Sequence, residues 1–332
     1  MSQITNKLPN NLQHSRIAIF ASYSAENTIT NEVIYYLQKL REIVDGIVFV
    51  ADNDYPAKEL EKLNNLVIYA DCQHHGRYDF GSYSKGFAWL KQTEIWGKFD
   101  ELLICNDSVL GPYRPFSFFL EARQKAGNPP FFGCTINHLG WGKLFPHVQS
   151  YFFTLQKSVY TSDYFSDFLA NVQEETDKTE IVKKYEMGLS ELMQQHNVKY
   201  DAIYSKPGYC DPCREFIEHF DHMLFIKRNR FKNYHTFKLN LMLAEIGFPY
   251  MIINGRFAEK TTANQIKSAL HIFLEPARIL RQMDWYKKRK YNKKLSKQPT
   301  SPLFISTKKN FPQNTIRPYR PRSDFAILPR GR

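Results

Sequence analysis

An amide, a carboxylate and a hydroxyl follow one another directly after a short apolar segment in the first half of the chain. Residues 102–105 are Leu-Leu-Ile-Cys, Asn106, Asp107 and Ser108 come next, and Gly111-Pro112 ends the segment. An unbroken apolar run bounded by turn residues predicts a strand buried on both faces of a parallel sheet. Ligands of open α/β sheets bind at the carboxyl ends of the strands, so a ligand is expected at these three side chains. For the triplet alone, a solvated loop after a core strand is the alternative.

Two further polar segments precede this triplet. The first is Arg77-Tyr78-Asp79-Phe80-Gly81, where a guanidinium beside a glycine-containing turn can bind a phosphate or carboxylate through two hydrogen bonds. An internal ion pair between Arg77 and Asp79 that fixes the turn is the alternative. The second is Asp52-Asn53-Asp54, which also follows an apolar run, so its spacing permits a metal site as well as a solvated turn.

The elements that must position these segments alternate between strand and helix periodicity. In the first part of the chain we predict strands at residues 16–21, 46–50, 66–70 and 102–105, and helices at residues 30–44 and 82–96. Further on we predict helices at residues 115–125, 162–171 and 236–246 and one that begins at Lys183, strands at 131–135, 147–153, 199–204 and 250–253, and a loop at 137–146. This order predicts a doubly wound α/β sheet. No glycine-rich dinucleotide fingerprint follows the first strand, which argues against an ordinary dehydrogenase.

The net positive charge of the chain comes from its C-terminal end. Of a net charge of +12, residues 287–332 carry +13, from 14 lysines and arginines against Asp324, and the preceding residues carry −1. The segment 262–286 has helical amphipathic periodicity and runs into Lys287-Lys288-Arg289-Lys290. An apolar helix face followed by a basic cluster is typical of segments that bind anionic membrane surfaces, and we predict this for residues 270–297. A flexible basic terminus without a lipid role is the alternative.

The remaining composition predicts a cytoplasmic protein. No apolar run approaches the ~18–20 residues that span a bilayer, and residues 1–14 are polar and lack the apolar core of a secretion signal. Five cysteines, an odd number, are consistent with free thiols in a reducing compartment. Cys210 and Cys213 are at most half of a zinc site, because no second close pair completes it.

Several segments together resemble the rhamnan synthesis F family of polysaccharide glycosyltransferases. The resemblance covers approximately residues 16–257, and it is strongest at residues 77–81, 106–112, 133–135, 147–152 and 186–192. It implies an A-type glycosyltransferase-like fold, an α/β architecture with a doubly wound, mostly parallel sheet flanked by helices. Here a C-terminal amphipathic helix and a basic tail follow. The usual acidic triplet of such enzymes has two aspartates, whereas this chain has Asp107 alone, so a bound Mg²⁺ or Mn²⁺ is an open expectation with Asp107 as its ligand.

The resemblance also implies roles for individual residues. We expect the nucleotide-sugar to be bound by Arg77, Asp79, Gly81, Asn106, Asp107, Ser108, Asp52, Lys227 and Arg228, and the acceptor or sugar hydroxyls by His147, Gln149 and Ser150. Asp52 is expected to contact the base or ribose. The two cations are expected to balance the charge of the leaving diphosphate, and a solvated loop is the alternative for either of them.

Glu186 is expected to be the catalytic base. The segment Glu186-Met187-Gly188-Leu189-Ser190 is similar to the helix start of inverting A-type glycosyltransferases, where a carboxylate at the helix N-terminus deprotonates the acceptor hydroxyl. Direct displacement at the anomeric carbon requires such a base. The alternative is an acid that only complements the helix dipole.

The resemblance implies transfer of a sugar, with rhamnose from dTDP-rhamnose as the expected donor, to a growing lipid-linked polysaccharide of the O-antigen or rhamnan type. The protein would be peripheral on the inner face of the cell membrane. We predict a flexible N-terminus at residues 1–14, a glycosyltransferase-like domain at 15–257, an amphipathic helical segment at 258–290 and a basic, mostly disordered tail at 291–332. Two alternatives are a nucleic-acid-binding protein that uses the tail and a non-catalytic scaffold that binds sugar nucleotide. No nucleic acid is expected, because the neutral body shows no binding motif.

Overall fold

In the computed structural model, nine strands of the described residues form one mixed sheet. The structure describes residues 3–6, 8, 12–140, 143–175, 177–206, 219–228, 233–264 and 266. The described residues all belong to one compact unit, which lies within residues 1–277. The cysteine pair Cys210 and Cys213, the amphipathic segment beyond residue 266 and the basic tail lie outside the described residues.

The central sheet runs mostly in one direction. The strands of the described residues are β1 Gln3–Thr5, β2 Arg16–Ser22, β3 Gly46–Ala51, β4 Tyr69–Cys72, β5 Glu101–Asn106, β6 Val109–Leu110, β7 Phe131–Gly140, β8 Lys143–Val148, β9 Phe152–Gln156, β10 Tyr200–Lys206, β11 Ile226–Lys227, β12 Tyr250–Ile253 and β13 Arg256–Glu259. Of these, β6 and β11 form one separate two-stranded sheet and β12 and β13 form another. The order in the sheet is β1-β4-β3-β2-β5-β9-β7-β10, and β8 pairs with β7. The pairings orient β2, β3, β4, β5, β7 and β10 alike and β1, β8 and β9 oppositely.

Helices cover both faces of the sheet. They are α1 Asn31–Leu40, α2 Ala57–Leu60, α3 Tyr78–Lys91, α4 Ser117–Lys125, α5 Lys157–Tyr160, α6 Asp163–Ala170, α7 Lys178–Ile181, α8 Gly188–Gln195 and α9 Asn233–Glu245. Alternate residues of β2 point to opposite faces. Phe20 packs with Tyr36 of α1 in one apolar layer, while Ile19 packs with Phe87 of α3 in the other. The predicted α/β sheet flanked by helices is therefore confirmed.

A third apolar cluster holds the late strands in place. Tyr113 packs against Phe248, which precedes the β12–β13 hairpin, and against Phe257, which lies within it. In the same cluster Ile226 of β11 is fully buried and pairs with Leu110 of β6. This short antiparallel ladder carries the residues after Ile226 to the end of β5.

Several predicted elements have different bounds in the structure. The helix predicted to begin at residue 82 begins at Tyr78, so the segment around Asp79 is a helix turn. The predicted loop 137–146 is largely the β7–β8 hairpin, and the predicted strand 147–153 divides into β8 and β9. The division arises because β8 pairs with the far half of β7, whereas β9 lies between β5 and β7. Gln3–Thr5, within the predicted flexible N-terminus, pairs with β4.

No helix within the described residues combines the length and the apolar character that crossing a bilayer requires. Cys72, Cys105 and Cys134 are buried free thiols.

Candidate active site

A cavity of about 860 Å³ opens at the carboxyl ends of β2, β3 and β5. The chain runs outward from β2 through β3 to β4 on one side and returns to β5 on the other side. Ligands of α/β sheets bind at such a switch point. Ten of the predicted site residues line the cavity, namely Asp52, Asp79, Asn106, Asp107, Ser108, Gln149, Ser150, Glu186, Lys227 and Arg228. Arg77, Gly81 and His147 are not among the residues that line it.

Asp107 joins the two strands on either side of the switch point. Its Oδ2 accepts hydrogen bonds from the Ser22 hydroxyl at 2.7 Å and from the Tyr23 backbone N–H at 3.1 Å. Burial raises the pKa of the Asp107 carboxyl, and the Arg228 charge and these hydrogen bonds oppose that rise. Asp107 therefore lies at the cavity wall in a defined orientation.

Asn106 uses its hydrogen-bonding capacity inside the protein. Its Nδ2 donates to Asp79 Oδ2 at 3.0 Å and to the Tyr83 hydroxyl at 2.9 Å. Its Oδ1 accepts from the Ser108 backbone N–H at 3.0 Å and from the Ser108 hydroxyl at 2.6 Å. A carboxamide offers two donor hydrogens and two acceptor lone pairs, so these contacts use all four. Although Asn106 borders the cavity, it connects α3 to the loop after β5.

Asp79 and Glu186 bring two carboxyl groups to the same cavity. Burial and the nearby charge of Glu186 raise the pKa of Asp79, while Lys227 and Lys178 lower it. Asp79 Oδ1 also accepts a hydrogen bond of 3.1 Å from the Phe80 backbone N–H. The cavity thus holds carboxylates and cations from several different elements.

The position of Glu186 within its helix differs from the prediction. Glu186 lies in a π-helical turn, Val182–Met187, that connects α7 to α8. It is therefore inside a continuous helical segment that begins at Lys178, and the expected placement at a helix N-terminus is wrong. The sequence signal was misleading because the segment before Lys183 is short and acidic and resembles a linker. Single π turns in helices occur frequently at functional sites.

Glu186 is held by residues of the β8–β9 connection. Its Oε2 accepts hydrogen bonds from the Ser150 backbone N–H at 2.9 Å and from the Ser150 hydroxyl at 2.6 Å. Its Oε1 lies 3.7 Å from His147 Nε2. His147 is only 2% exposed, so it lies behind Glu186 and does not form the cavity wall. The nearby Gln149 has an Oε1 that is buried without a hydrogen-bond partner.

The cations reach the site through the β6–β11 ladder. Lys227 pairs with Val109 in that ladder, and its Nζ lies 3.2 Å from Ser108 Oγ. The Arg228 backbone N–H donates to the Ser108 carbonyl at 3.0 Å, and the Arg228 guanidinium lies 3.2 Å from Glu32 Oε1. Ser108 and Lys227, which are 119 positions apart in the sequence, are thereby placed side by side.

Arg77 and Gly81 lie at the start of α3 and contact residues that do not line the cavity. The Arg77 guanidinium donates to the Val172 carbonyl at 3.3 Å, and no ion pair joins it to Asp79 among the contacts of these two described residues. A Cβ at Gly81 would collide with Arg77 Cβ and would lie 2.8 Å from His75 Cε1, so this glycine leaves room for both side chains. The structure thus gives both residues contacts outside the cavity.

Asp52 is held by the loop that follows β4. Its Oδ1 accepts hydrogen bonds from the backbone N–H groups of His75 at 2.6 Å and Gly76 at 2.9 Å. Burial acts to raise the pKa of Asp52, but these hydrogen bonds and the neighbouring histidines outweigh it and lower the pKa. His75 Nδ1 accepts from the Arg77 N–H at 3.1 Å, so its Nε2 carries the hydrogen that faces Ser82 Oγ at 3.0 Å.

The side chains near Asp107 do not fit a metal ion held by the protein alone. Among the residues that the structure describes, no group of three or more His, Cys, Asp or Glu side chains is arranged to hold a metal. Lys227 reaches Ser108 beside Asp107, and the Arg228 charge acts directly on the Asp107 carboxyl. The surroundings of Asp107 thus include two cations, which are the groups expected to balance the charge of a leaving diphosphate.

Sequence reasoning missed several residues of the cavity wall. Tyr23, Tyr78 and Lys178 line it, as do Glu174 and Glu175. Tyr23 follows the polar end of the first strand, which was a usable signal. Tyr78 belongs to the segment Arg77–Gly81, which the sequence had already indicated. Lys178, Glu174 and Glu175 come from a loop and a helix start that only the tertiary fold brings to the cavity.

Comparisons with known proteins find distant similarity in sequence and in structure. The virulence protein VirA of Vibrio anguillarum is 22% identical over 249 residues, which cover 71% of this chain and 77% of the relative. A solved 4-diphosphocytidyl-2C-methyl-D-erythritol synthase has a TM-score of 0.38 at 14% identity, covering 63% of this chain and 99% of its own. The inositol-1-phosphate CTP transferase from T. maritima has a TM-score of 0.34 at 12% identity, covering 59% of this chain and 87% of its own.

The chain also matches a protein family. Residues 47–251 match the family of rhamnan synthesis protein F. The match covers more than half of the chain and spans most of the strands, the polar triplet and the helical segment that form the cavity. The chain belongs to the rhamnan synthesis protein F family.

Proposed function

We propose that this protein is an inverting glycosyltransferase with an A-type fold that uses Glu186 as its general base. It transfers a sugar from a nucleotide donor to a growing cell-surface polysaccharide. The observation that carries the proposal is that one cavity holds the Glu186 carboxylate and the cations Lys227 and Arg228. A base for the acceptor hydroxyl and a positive site for the leaving diphosphate are the two groups that this displacement requires.

In this transfer, groups that line the cavity take up the proton of the acceptor and stabilise the charge of the leaving diphosphate. The acceptor oxygen forms a bond to the anomeric carbon, and its proton passes to Glu186. The bond between the anomeric carbon and the diphosphate oxygen breaks, and its electron pair leaves with the diphosphate. Lys227 and Arg228 stabilise the charge that develops there, because cations already in position need no reorganisation during the reaction.

Family membership supports the class of donor and acceptor. A rhamnan is a polymer of rhamnose, so we propose dTDP-rhamnose as the donor and a lipid-linked polysaccharide as the acceptor. Asp52 and Asp107 would contact hydroxyl groups of the donor, and Gln149, whose buried carbonyl oxygen has no partner, would accept from a sugar hydroxyl. We further propose that residues 270–297 hold the protein on the inner face of the cell membrane.

The test measures binding and turnover for a panel of nucleotide sugars that includes dTDP-rhamnose, with released nucleoside diphosphate as the readout. Glu186→Gln should keep donor affinity within about threefold and lose at least about 100-fold in kcat, as expected for a general base. Glu191→Gln, at an exposed position in α8, is the matched control and should retain activity. Failure to bind any sugar nucleotide would overturn the proposal. Binding without turnover on any acceptor would identify a scaffold instead.

A further inference from the structure

We propose that His147 is a positioning residue for Glu186. Once Glu186 Oε1 has taken the proton of the attacking sugar hydroxyl, the new O–H group donates a hydrogen bond to His147. Ser150 determines which oxygen of Glu186 acts by binding the other. The inference rests on the proposed function of Glu186 as a base and adds which group accepts a hydrogen bond from its protonated carboxyl. It assigns His147 a role behind the cavity wall in place of a contact with sugar.

The two carboxylate oxygens of Glu186 have different surroundings. Oε2 accepts two hydrogen bonds from Ser150, at 2.9 Å from the backbone N–H and at 2.6 Å from the hydroxyl. Hydrogen bonds to a carboxylate oxygen stabilise its negative charge and make it a poorer proton acceptor. Oε1 faces His147 and is therefore the oxygen that takes a proton.

The hydrogen-bonding of His147 fixes its tautomer. His147 Nδ1 lies 2.8 Å from the Phe145 carbonyl oxygen, and a carbonyl can only accept, so Nδ1 carries a hydrogen. In the neutral ring Nε2 then has a free lone pair. The choice of tautomer by the partner of the other nitrogen is a general property of imidazoles.

The distance between Nε2 and Oε1 agrees with two acceptors that face each other. They are 3.7 Å apart, which is longer than the roughly 2.7–3.2 Å of a hydrogen bond. No hydrogen lies between them while Glu186 is ionised. A proton on Oε1 would supply the missing donor and let the two atoms close into a hydrogen bond.

This arrangement orients Glu186 in both protonation states. Before the reaction Ser150 holds Oε2, and after it the new O–H group of Glu186 donates to His147. The acceptor O–H bond breaks, the proton bonds to Oε1, and the acceptor oxygen bonds to the anomeric carbon as the diphosphate leaves with its electron pair. His147 is 2% exposed, so its Nε2 is shielded from solvent, and Glu186 lies next to it as a hydrogen-bond donor when protonated.

Other charged groups line the same cavity as Glu186. Asp79 comes from α3, and the charges of Glu186, Lys178 of α7 and Lys227 of β11 act on Asp79. These groups set the electrostatic background of the pH profile. They are unchanged in variants of His147, so such variants isolate the contribution of the imidazole.

The first measurement is the nitrogen-15 NMR spectrum of the histidine rings of the wild-type protein at a pH of about 7.5, a pH unit above the ordinary histidine pKa, with the His147 signals assigned by their loss in His147→Asn. We expect Nδ1 to be protonated and Nε2 unprotonated. In Glu186→Gln, whose carboxamide can donate, the Nε2 signal should shift as it gains a hydrogen bond. An imidazolium, or the opposite tautomer, would overturn the inference. This readout requires no turnover, so it separates failure of the inference from failure of the proposed function.

The second measurement is the pH profile of kcat and kcat/KM. His147→Asn can keep a donor for the Phe145 carbonyl but has no group at the Nε2 position. We expect kcat to fall about 10-fold or more, the acid limb to move to lower pH, and KM for the donor to stay within about twofold. His147→Gln, which can present a carbonyl oxygen near the Nε2 position, should recover part of kcat. A wild-type pH profile and kcat in His147→Asn would contradict the inference.

Discussion

The carboxamide of Asn106 donates a hydrogen bond of 3.0 Å to the carboxylate of Asp79. The same nitrogen donates to the Tyr83 hydroxyl, which in turn donates to the Ser150 carbonyl at 2.9 Å. Ser150 holds Glu186. One chain of hydrogen bonds therefore connects the end of β5 and the first turns of α3 to the proposed base.

Replacing Asn106 with aspartate should destabilise this protein. Asn106→Asp removes the donor to Asp79 and places a second carboxylate beside it. We expect a loss of about 3 kcal/mol in the free energy of unfolding at about pH 7, the order of a buried charged hydrogen bond, and a smaller loss at about pH 4, where a carboxyl can be protonated. Urea denaturation measures it.

The control is Asn64→Asp at an exposed position, which should change the free energy of unfolding by less than about 0.5 kcal/mol. An Asn106→Asp protein as stable as wild type at neutral pH would show that Asn106 does not have the connecting role described here.

The apolar strands and the order of the polar segments could be predicted from sequence because local periodicity determines them. Residues 102–105 are unbroken by polar side chains, and Asp107 lies where the strand ends. The role of Asn106 could not be predicted, since its hydrogen bonds involve Asp79 and Tyr83, which are brought to it only by the packing of α3 on the sheet.

The environment of Glu186 depends on tertiary structure in a similar way. The sequence identified the residue but placed it at a helix start, because the short acidic segment before Lys183 resembles a linker, whereas it belongs to the same helical segment. The pairing of His147 with Glu186 results from the division of one predicted strand into β8 and β9. That division is set by pairing with β7, which no local pattern encodes.

The end of the sheet away from the cavity contains a buried ion cluster that should dominate stability. Glu101 Oε2 lies 2.6 Å from Arg16 Nε, and Glu101 Oε1 contacts the Arg123 guanidinium. Burial lowers the pKa of Arg123 to about 10, in keeping with a desolvated cation. Glu101→Ala would remove the carboxylate that both buried cations contact, and only the Asp45 charge would still act on Arg16. We expect a loss of about 3–5 kcal/mol in the free energy of unfolding.

The comparison for this cluster is Glu42→Ala, which breaks an exposed ion pair with Lys39 and should cost less than about 1 kcal/mol. Guanidinium denaturation of both variants measures the difference. Similar losses in the two variants would mean that the cluster around Glu101 is not important for stability.

The stability of the protein should depend on His75 at mildly acidic pH. Burial lowers the pKa of His75 to about 4 from an ordinary 6.5, despite the attraction of Asp52. Between these values the unfolded chain binds a proton at this residue that the folded protein does not, so this contribution to stability falls as the pH drops from about 6.5 to about 4. The melting temperature should therefore decrease as the pH is lowered through this range. His75→Gln should reduce the slope, and an unchanged slope in that variant would assign the effect to other groups.

Lys227 of β11 and Arg228, which follows it, should bind the diphosphate of the donor without a metal ion held by protein side chains alone. Lys227 is near Ser108 and the Tyr151 ring, 3.2 Å from Ser108 Oγ and 4.8 Å from the ring centroid. Lys227→Met keeps much of the apolar length and removes the charge. We expect nucleoside diphosphate affinity to fall about 10- to 100-fold, the equivalent of a charged hydrogen bond of about 1.5–3 kcal/mol, and affinity for the unphosphorylated nucleoside to stay the same.

Titration calorimetry with and without EDTA separates the two sources of positive charge. If the cations balance the diphosphate, EDTA should change the wild-type affinity less than Lys227→Met does. The control, Lys39→Met at an exposed helix position, should bind as wild type does. A loss of affinity in EDTA that Asp107→Asn abolishes would instead assign the charge to a Mg²⁺ or Mn²⁺ ion bound between Asp107 and the diphosphate, because such ions use one or two protein carboxylates together with substrate phosphates.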